Sequence, residues 1–148
     1  MTKVHSFSIF LLRVVMGWMF FWAGYTKIID PNFSAASYIQ SAKTFTGFYH
    51  WLLTSNVLPI VNFLNEWGLT LLGVSLIIGL GVRLSSWLGI ILMALYYAVL
   101  GFPYPNPHSY IVDEHIIYIA ALLLLIAFNA GREIGLAKFF PALSRKIG

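Results

Sequence analysis

The sequence predicts an all-α integral membrane protein: a four-helix bundle with a short interfacial helical segment between its first and second spans. Apolar residues make up 59% of the 148 positions and charged residues only 9%, whereas an ordinary soluble domain has about 45–50% and 25%. The charged residues also stand at the ends of long apolar stretches. The run from Glu66 to Arg83 is one of these, and it has the length of a membrane-spanning helix.

Four such stretches give the predicted spans, at about residues 7–29, 58–80, 84–101 and 113–131. Asp30 and Pro31 end the first span because a proline cannot continue the helical hydrogen-bond ladder and also restricts the residue before it. The glycines before Arg83 predict a tight turn between the second and third spans. Four spans use most of the chain, so we expect one membrane domain over residues 1–148.

The longest connection, residues 32–58, mixes aromatic side chains with Ser, Thr, Gln, Lys43 and His50. This mixture is too polar to cross a bilayer and too aromatic for a solvated linker. Aromatic rings with polar tips suit the depth of the lipid headgroups. The composition therefore predicts one or two short helices at the interface, covering one mouth of the bundle.

The absence of cysteine excludes several kinds of redox centre. The chain cannot form disulfides, thiolate-bound iron–sulfur clusters or covalently attached haem. His115 is the one histidine within a predicted span, which argues against a b-type haem, and the histidine and acid spacing predicts no metal site. If the protein takes part in electron transfer, the carrier is a bound small molecule or belongs to a partner.

The basic residues predict how the chain lies in the membrane. The formal net charge is +4, but the bases are dispersed along helix ends and do not predict a nucleic-acid site. Lys27 and Lys43 fall on one side, and the other seven lysines and arginines fall on the opposite side. We expect the protein in the plasma membrane. The positive-inside rule then places both termini in the cytoplasm. Arg13, Arg83 and Arg132 are predicted to snorkel toward the cytoplasmic rim.

With this topology, four of the five acids gather with Lys27 and His115 at the extracytoplasmic end of the bundle; these acids are Asp30, Glu66, Asp113 and Glu114. Ionisable groups near hydrocarbon are costly unless they are paired or wet, so the cluster indicates ion pairs, a polar pocket or both. A quinone headgroup would need hydrogen-bond donors and a proton acceptor. The candidate catalytic residues are Glu66, Glu114 and His115, and the candidate binding residues are Lys27, Tyr118, Trp67 and Trp22.

A structural explanation of the same residues stays open. Lys27 could pair with Glu66 or Glu114, and Asp113 could cap the fourth helix. The aromatic stripe of Trp18, Trp22 and Tyr25 would then serve packing, not ligand binding.

Several short motifs resemble the DoxX family of small four-helix membrane proteins. The chain has an early Arg13 followed by Gly17, then the run Ala-Gly-Tyr-Thr-Lys that ends at Lys27, then Asp30 before a proline. Its Glu66-to-Arg83 helix and its last helix with His115 are similar to the family pattern. The resemblance implies a small membrane protein of a family in which some members associate with redox proteins and many have no assigned activity. Some relatives, the DoxD-type subunits, belong to a thiosulfate:quinone oxidoreductase.

Two functions follow as expectations. In the first, the chain is a membrane subunit of a quinone-linked oxidoreductase and binds a quinone headgroup, or another small ligand, at the extracytoplasmic end of the bundle. In the second, it is a non-enzymatic scaffold or anchor for a redox protein or another partner. The lipid bilayer is a partner in both, and a redox partner subunit and a homo-oligomer are each compatible with the sequence. Only Lys27 and Lys43 would face thiosulfate, which does not favour that donor.

Overall fold

The computed structural model describes residues 3–133, and within that range the protein is helical with no β-strand. The basic C-terminal residues, such as Lys138 and Arg145, lie outside the described residues. The elements are α1 (Lys3–Ile29), α2 (Ala36–Gln40), α3 (Thr46–Leu52), α4 (Leu58–Phe63), a π-helix (Leu64–Gly68), α5 (Leu69–Ile78), α6 (Val82–Leu100), α7 (Glu114–Ala127) and α8 (Ala130–Glu133).

Three helices are long and apolar enough to cross a membrane. They are α1, the continuous helix Leu58–Ile78 that contains α4, the π-helix and α5, and α6. The prediction of an all-helical protein with long apolar helices is confirmed. α7 is apolar but has only 14 residues. It ends four residues before the predicted limit of 131 because Asn129 adopts a left-handed conformation, with φ of 47°, and α8 starts again beyond it.

The contact between α1 and α5 depends on glycine. Gly17 faces Gly73 and Ile77, whereas Gly24 faces Thr70 and the backbone of Glu66, so the two helices run antiparallel. A Cβ atom on Gly73 would lie 2.2 Å from the backbone nitrogen of Phe21. Small residues allow this close approach, which is a common way for helices to associate in lipid.

The interior of the bundle is apolar and so is much of its exterior. Phe20, Leu76, Leu122 and Leu125 are almost completely buried between α1, α5, α6 and α7. Large apolar side chains are also exposed along the long helices, among them Val15, Leu71, Ile91 and Ile117. A surface of this kind is unfavourable in water and suits the hydrocarbon of a bilayer.

Arg13 does not snorkel as predicted. Its side chain is 1% exposed and turns into the bundle, where Nη1 donates a hydrogen bond to the carbonyl oxygen of Ala130, 2.8 Å away. The break between α7 and α8 brings this carbonyl within reach, so the guanidinium binds protein in place of solvent. Arg83, in contrast, is exposed at the start of α6.

The two short helices α2 and α3 occur in the connection where interfacial helices were predicted. Ile39 and Tyr49 are buried against Val99 of α6. The backbone nitrogen of Lys43 donates to the carbonyl oxygen of Val99 at 3.0 Å, and the backbone nitrogen of Phe102 donates to Thr44 Oγ1 at 3.1 Å. The α2–α3 segment is therefore fixed to the C-terminal part of α6.

The glycine contact predicts opposite effects for two alanine substitutions on the same continuous helix. Gly73→Ala forces α1 and α5 apart and should lower the free energy of unfolding by about 1–3 kcal/mol. Gly68→Ala meets nothing within 4 Å and should leave stability unchanged or raise it, because alanine favours the helix. Thermal unfolding of the two variants in the same detergent measures the difference. Equal midpoints for both would contradict the packing role of Gly73.

Candidate functional site

A cavity of about 890 Å³ lies at the end of the helices where α1 and α6 finish and α7 begins. We call this end the Lys27 end. The cavity walls come from the last turn of α1, the α2–α3 segment, the helix Leu58–Ile78, the second half of α6 and the first turn of α7. Apolar and aromatic side chains dominate, and the polar or ionisable side chains in the lining include Lys27, Tyr38, Tyr49, Asn65, Tyr96, Tyr104, Asn106, Asp113, Glu114 and His115.

The side chains of Asp113 and His115 contact each other at the cavity wall. Asp113 Oδ2 lies 2.6 Å from His115 Nδ1, and Asp113 is 7% exposed. Its second oxygen, Oδ1, accepts a hydrogen bond of 3.2 Å from the backbone nitrogen of Ile116 and so caps α7. Because Nδ1 makes this contact, Nε2 is the ring nitrogen left for a ligand.

Tyr96 connects His115 to the π-helix. The rings of Tyr96 and His115 are perpendicular, with their centroids 5.8 Å apart. The Tyr96 hydroxyl donates to Asn65 Oδ1, and Asn65 Nδ2 donates to the carbonyl oxygen of Val61 at 2.9 Å. Both ends of the buried amide are therefore satisfied, which a buried polar group requires. π-Helical turns occur frequently at functional sites, and here the turn carries Asn65 into the lining.

Two tyrosines hold the α2–α3 segment against α6. The Tyr38 hydroxyl donates to the backbone carbonyl of Tyr96 at 2.9 Å, and the Tyr49 hydroxyl donates to that of Leu95 at 2.6 Å. Burial, and next the negative charge of Asp113, raise the pKa of Tyr38 to about 12. Burial also raises the pKa of Tyr49. Both hydroxyls therefore remain protonated donors throughout the neutral range.

Lys27 lines the cavity without a carboxylate partner. Its Nζ donates to the carbonyl oxygen of Ala23 at 2.8 Å and lies 5.6 Å from the centre of the Phe33 ring. Neither Glu66 nor Glu114 pairs with it, so the ion pairs that the sequence left open do not form. In the described part of the chain, the one close contact between a carboxylate and a basic side chain is that between Asp113 and His115.

The structure brings together some of the predicted site residues and leaves others apart. Lys27, Glu114 and His115 line the cavity, whereas Glu66, Trp67, Trp22 and Tyr118 do not. Tyr118 remains near it, because its hydroxyl lies 3.4 Å from Glu114 Oε2.

Glu66, Trp67 and Trp22 have other surroundings. Glu66 is half-buried in the π-helix, and its backbone carbonyl accepts a hydrogen bond from Thr70 Oγ1 at 2.7 Å. Trp67 and Trp22 are exposed on the outside of the bundle by 43% and 52%. Trp22 stacks on Trp18, with 6.0 Å between the ring centroids. None of these contacts reaches the cavity.

Tyr38 and Tyr96 are among the lining residues whose roles the sequence did not predict. Tyr96 belongs to the aromatic end of the third predicted span and Tyr38 to the interfacial connection, so both read as membrane-interface residues. Counting residues from the helix end does place Tyr96 near the level of His115. Such a count does not predict the direction in which the Tyr96 ring points.

Metal binding finds no support in the geometry. In residues 3–133, no three His, Asp or Glu side chains are grouped so that they could hold a metal ion. The cavity lining contains a single histidine, His115.

Substitution of Asp113 separates its two roles. Asp113→Asn keeps an N-cap acceptor but loses the charge, whereas Asp113→Ala loses both. We expect Asp113→Ala to lower the free energy of unfolding by about 1–2 kcal/mol and Asp113→Asn to lower it less. Thermal unfolding at neutral pH measures both. An equal loss in the two variants would mean that the charge, and not the cap, makes the main contribution.

Tyr38 should ionise well above an ordinary tyrosine. Its folded pKa of about 12 exceeds the usual 10.0, so its contribution to stability is complete below pH 10 and is lost as the pH rises toward 12. The difference in tyrosinate absorbance between the unmodified protein and Tyr38→Phe isolates this group from the other tyrosines. A difference signal that titrates near pH 10 would contradict the packing described for Tyr38.

Comparison with known proteins identifies the family. The DoxX family model matches residues 8–101, more than half of the chain. The match runs from α1 to the end of α6, so it includes Lys27, Asn65 and Tyr96 of the cavity. Comparisons with curated proteins and with solved structures gave no significant match. The resemblance seen in the motifs is thus confirmed, and the chain belongs to the DoxX family of membrane proteins.

Proposed function

We propose that the chain is the membrane subunit of a quinone-linked oxidoreductase, with the quinone headgroup bound in the cavity at the Lys27 end. Glu114 and His115 are the proposed proton-exchanging residues. Lys27, Tyr38 and Tyr96 are the proposed binding residues. Glu66, Trp67 and Trp22 have no contact with the headgroup in this proposal.

The character of the cavity supports this proposal. Its volume of about 890 Å³ lies near the upper end of the range of about 300–1,000 Å³ for small-molecule sites. The walls are mainly apolar, and aromatic rings from Tyr38, Phe48 and Tyr96 contribute to them. A few polar groups converge among these walls. A quinone headgroup is a flat apolar ring with an oxygen on two opposite sides, which this combination suits.

The pairing of Asp113 with His115 supports a role in proton exchange. A bound quinone accepts a pair of electrons and a pair of protons when it is reduced, and releases them when it is oxidised. Asp113 holds the His115 ring through Nδ1, so Nε2 is free to donate or accept a proton toward the cavity. This arrangement, in which a carboxylate orients a histidine, is common among general acid and base residues.

Glu114 is the proposed second proton-exchanging group. It is exposed while it also lines the cavity, so it can pass a proton between bulk water and the interior. Tyr118 lies within 3.4 Å of its carboxylate and can orient it. The sequence contains no cysteine, which excludes cysteine-bound redox centres, and the proposal assigns the second redox centre to a partner subunit.

Two related activities find less support in the residues. A haem with two histidine ligands would need a second histidine opposite His115, and the lining has one. Thiosulfate oxidation, as in the DoxD-type relatives, would need several cations for a doubly charged substrate, whereas the lining carries Lys27 alone among lysines and arginines. The electron donor is therefore proposed as another reductant.

The proposed membrane placement keeps four spans. α7 is about 21 Å long at about 1.5 Å per residue, shorter than the hydrocarbon core of about 30 Å, and α8 follows it after the bend at Asn129. We propose that α7 and α8 together form the fourth span. Both termini would then lie in the cytoplasm, and the cavity would face the outer side of the plasma membrane.

The surface of α1 favours a second candidate function, that of a scaffold for a partner protein. Trp18, Trp22 and Tyr25 form an exposed aromatic ladder, with neighbouring ring centroids about 6 Å apart. A partner helix or a second copy of the chain could pack on this ladder. This function predicts co-purification with a partner and no bound quinone.

Quinone binding tests the proposal directly. The protein, extracted with its native lipids, should contain a quinone that mass spectrometry of the organic extract identifies. Reconstituted protein should bind a short-chain ubiquinone, and His115→Gln should weaken that binding by at least about tenfold, since a hydrogen bond to a charged or polarised group contributes roughly 1.5–3 kcal/mol.

A matched control uses the same substitution at another histidine. His108 is exposed in the loop before α7 and does not line the cavity, so His108→Gln should bind quinone as tightly as the unmodified protein. Absence of quinone from the native extract together with no measurable binding after reconstitution would reject the proposed function and leave the scaffold.

A further inference from the structure

The ammonium group of Lys27 is arranged differently from that of a structural membrane lysine. A lysine near the end of a spanning helix usually extends past the helix end so that its charge reaches water. Lys27 instead turns back along α1, and Nζ binds the carbonyl of Ala23 at 2.8 Å. The Phe33 ring, 5.6 Å away, covers the charge on another side. The half-buried cation is therefore held at the wall of the cavity.

This cation has donors left over. An ammonium group carries three N–H donors, and the carbonyl of Ala23 takes one of them. No carboxylate of the described residues pairs with Lys27, although Glu66, Asp113 and Glu114 belong to the same end of the helices. A charge at this depth is costly without a counter-ion. Its arrangement is explained if the counter-ion is part of the ligand.

The charges of the cavity are also separated between two helices. Both carboxylates of the lining, Asp113 and Glu114, stand at the start of α7, whereas Lys27 stands at the end of α1. An anionic oxygen would be repelled from the α7 side and attracted to the α1 side. The cavity can therefore distinguish the two ends of a ligand by charge.

We propose that Lys27 forms an anion subsite, so that the cavity prefers amphipathic ligands that present one anionic oxygen to the Lys27 ammonium. For the proposed quinone function, on which this inference rests, the preferred ligand class is the hydroxyquinones that are ionised at neutral pH. Their anionic oxygen lies at Lys27, and their opposite carbonyl lies toward His115. A fatty-acid carboxylate shares the anionic chemistry without the ring.

Three probes distinguish these possibilities in protein reconstituted into lipid nanodiscs. They are 2-hydroxy-1,4-naphthoquinone, which is an anion at neutral pH, the uncharged 1,4-naphthoquinone, and dodecanoate. Binding is measured by isothermal titration calorimetry, with empty nanodiscs subtracted. In the unmodified protein we expect the hydroxyquinone to bind at least about tenfold more tightly than the uncharged quinone, the scale of one charge-assisted hydrogen bond.

Variants of the two lysines at this end attribute the preference to one side chain. Lys27→Met should remove the preference for the charged quinone, and Lys27→Arg should keep it. Lys43 does not line the cavity, so Lys43→Met should behave as the unmodified protein. The unfolding midpoint of each variant verifies that it is folded. The comparison of charged and uncharged quinone in the unmodified protein tests the inference without any variant.

The outcomes distinguish a failure of the anion subsite from a failure of the proposed quinone function. Equal binding of the charged and uncharged quinones by the unmodified protein would overturn the anion subsite and leave the quinone function intact. A preference that survives in Lys27→Met would also overturn the subsite. Binding of dodecanoate alone, lost in Lys27→Met, would reject the quinone function while it supports the anion subsite. Binding of none of the probes would overturn both.

Discussion

The close backbone contact between α1 and α5 is the constraint on which the rest of the structure depends. Lipid chains are as apolar as leucine, so helices in a bilayer associate through packing and hydrogen bonds, with little hydrophobic driving force between them. Gly17, Gly24 and Gly73 let the two backbones meet where any side chain would collide. Gly24 stands one turn before Lys27, and its neighbour is the carbonyl of Glu66 next to Asn65. The same contact that holds the bundle together therefore sets the position of two cavity residues on different helices.

The polar groups of the cavity follow from the cost of ending helices near hydrocarbon. The first amides of α7 need acceptors, and Asp113 provides one at Ile116; an unpaired donor there would cost several kcal/mol. Once this carboxylate is buried, it needs a partner for its second oxygen, and His115 supplies that partner. The need to cap α7 therefore places the oriented imidazole of His115 at the cavity wall. A single pair of residues serves stability and, in the proposed function, proton exchange.

Sequence reasoning predicted the elements well and the directions of side chains poorly. Hydropathy predicted the three long helices. The occurrence of charged residues at helix ends placed Lys27, Glu114 and His115 at one end of the bundle. Glu66 belongs to the same end but does not line the cavity, whereas Asn65, its neighbour in the π-helix Leu64–Gly68, does. The snorkelling predicted for Arg13 was wrong because its side chain binds the carbonyl of Ala130. A helix break brings that carbonyl near, and composition does not reveal the break. The roles of Tyr38 and Tyr96 depend on the fold of the α2–α3 segment, which hydropathy does not describe.

The two inward-turned cations allow a comparison between structural and ligand-binding roles. Arg13 is buried almost completely, and it binds a carbonyl of a distant part of the chain, so its hydrogen bond joins α1 to α8 and stabilises the fold. Lys27 binds a carbonyl of its own helix, a contact that joins no elements and contributes nothing to tertiary structure. A lysine that served only stability would gain more from Glu66 or Glu114, or from water beyond the helix end. Because Lys27 makes neither interaction and lines the cavity, a role toward a ligand accounts for its position better than a role in folding.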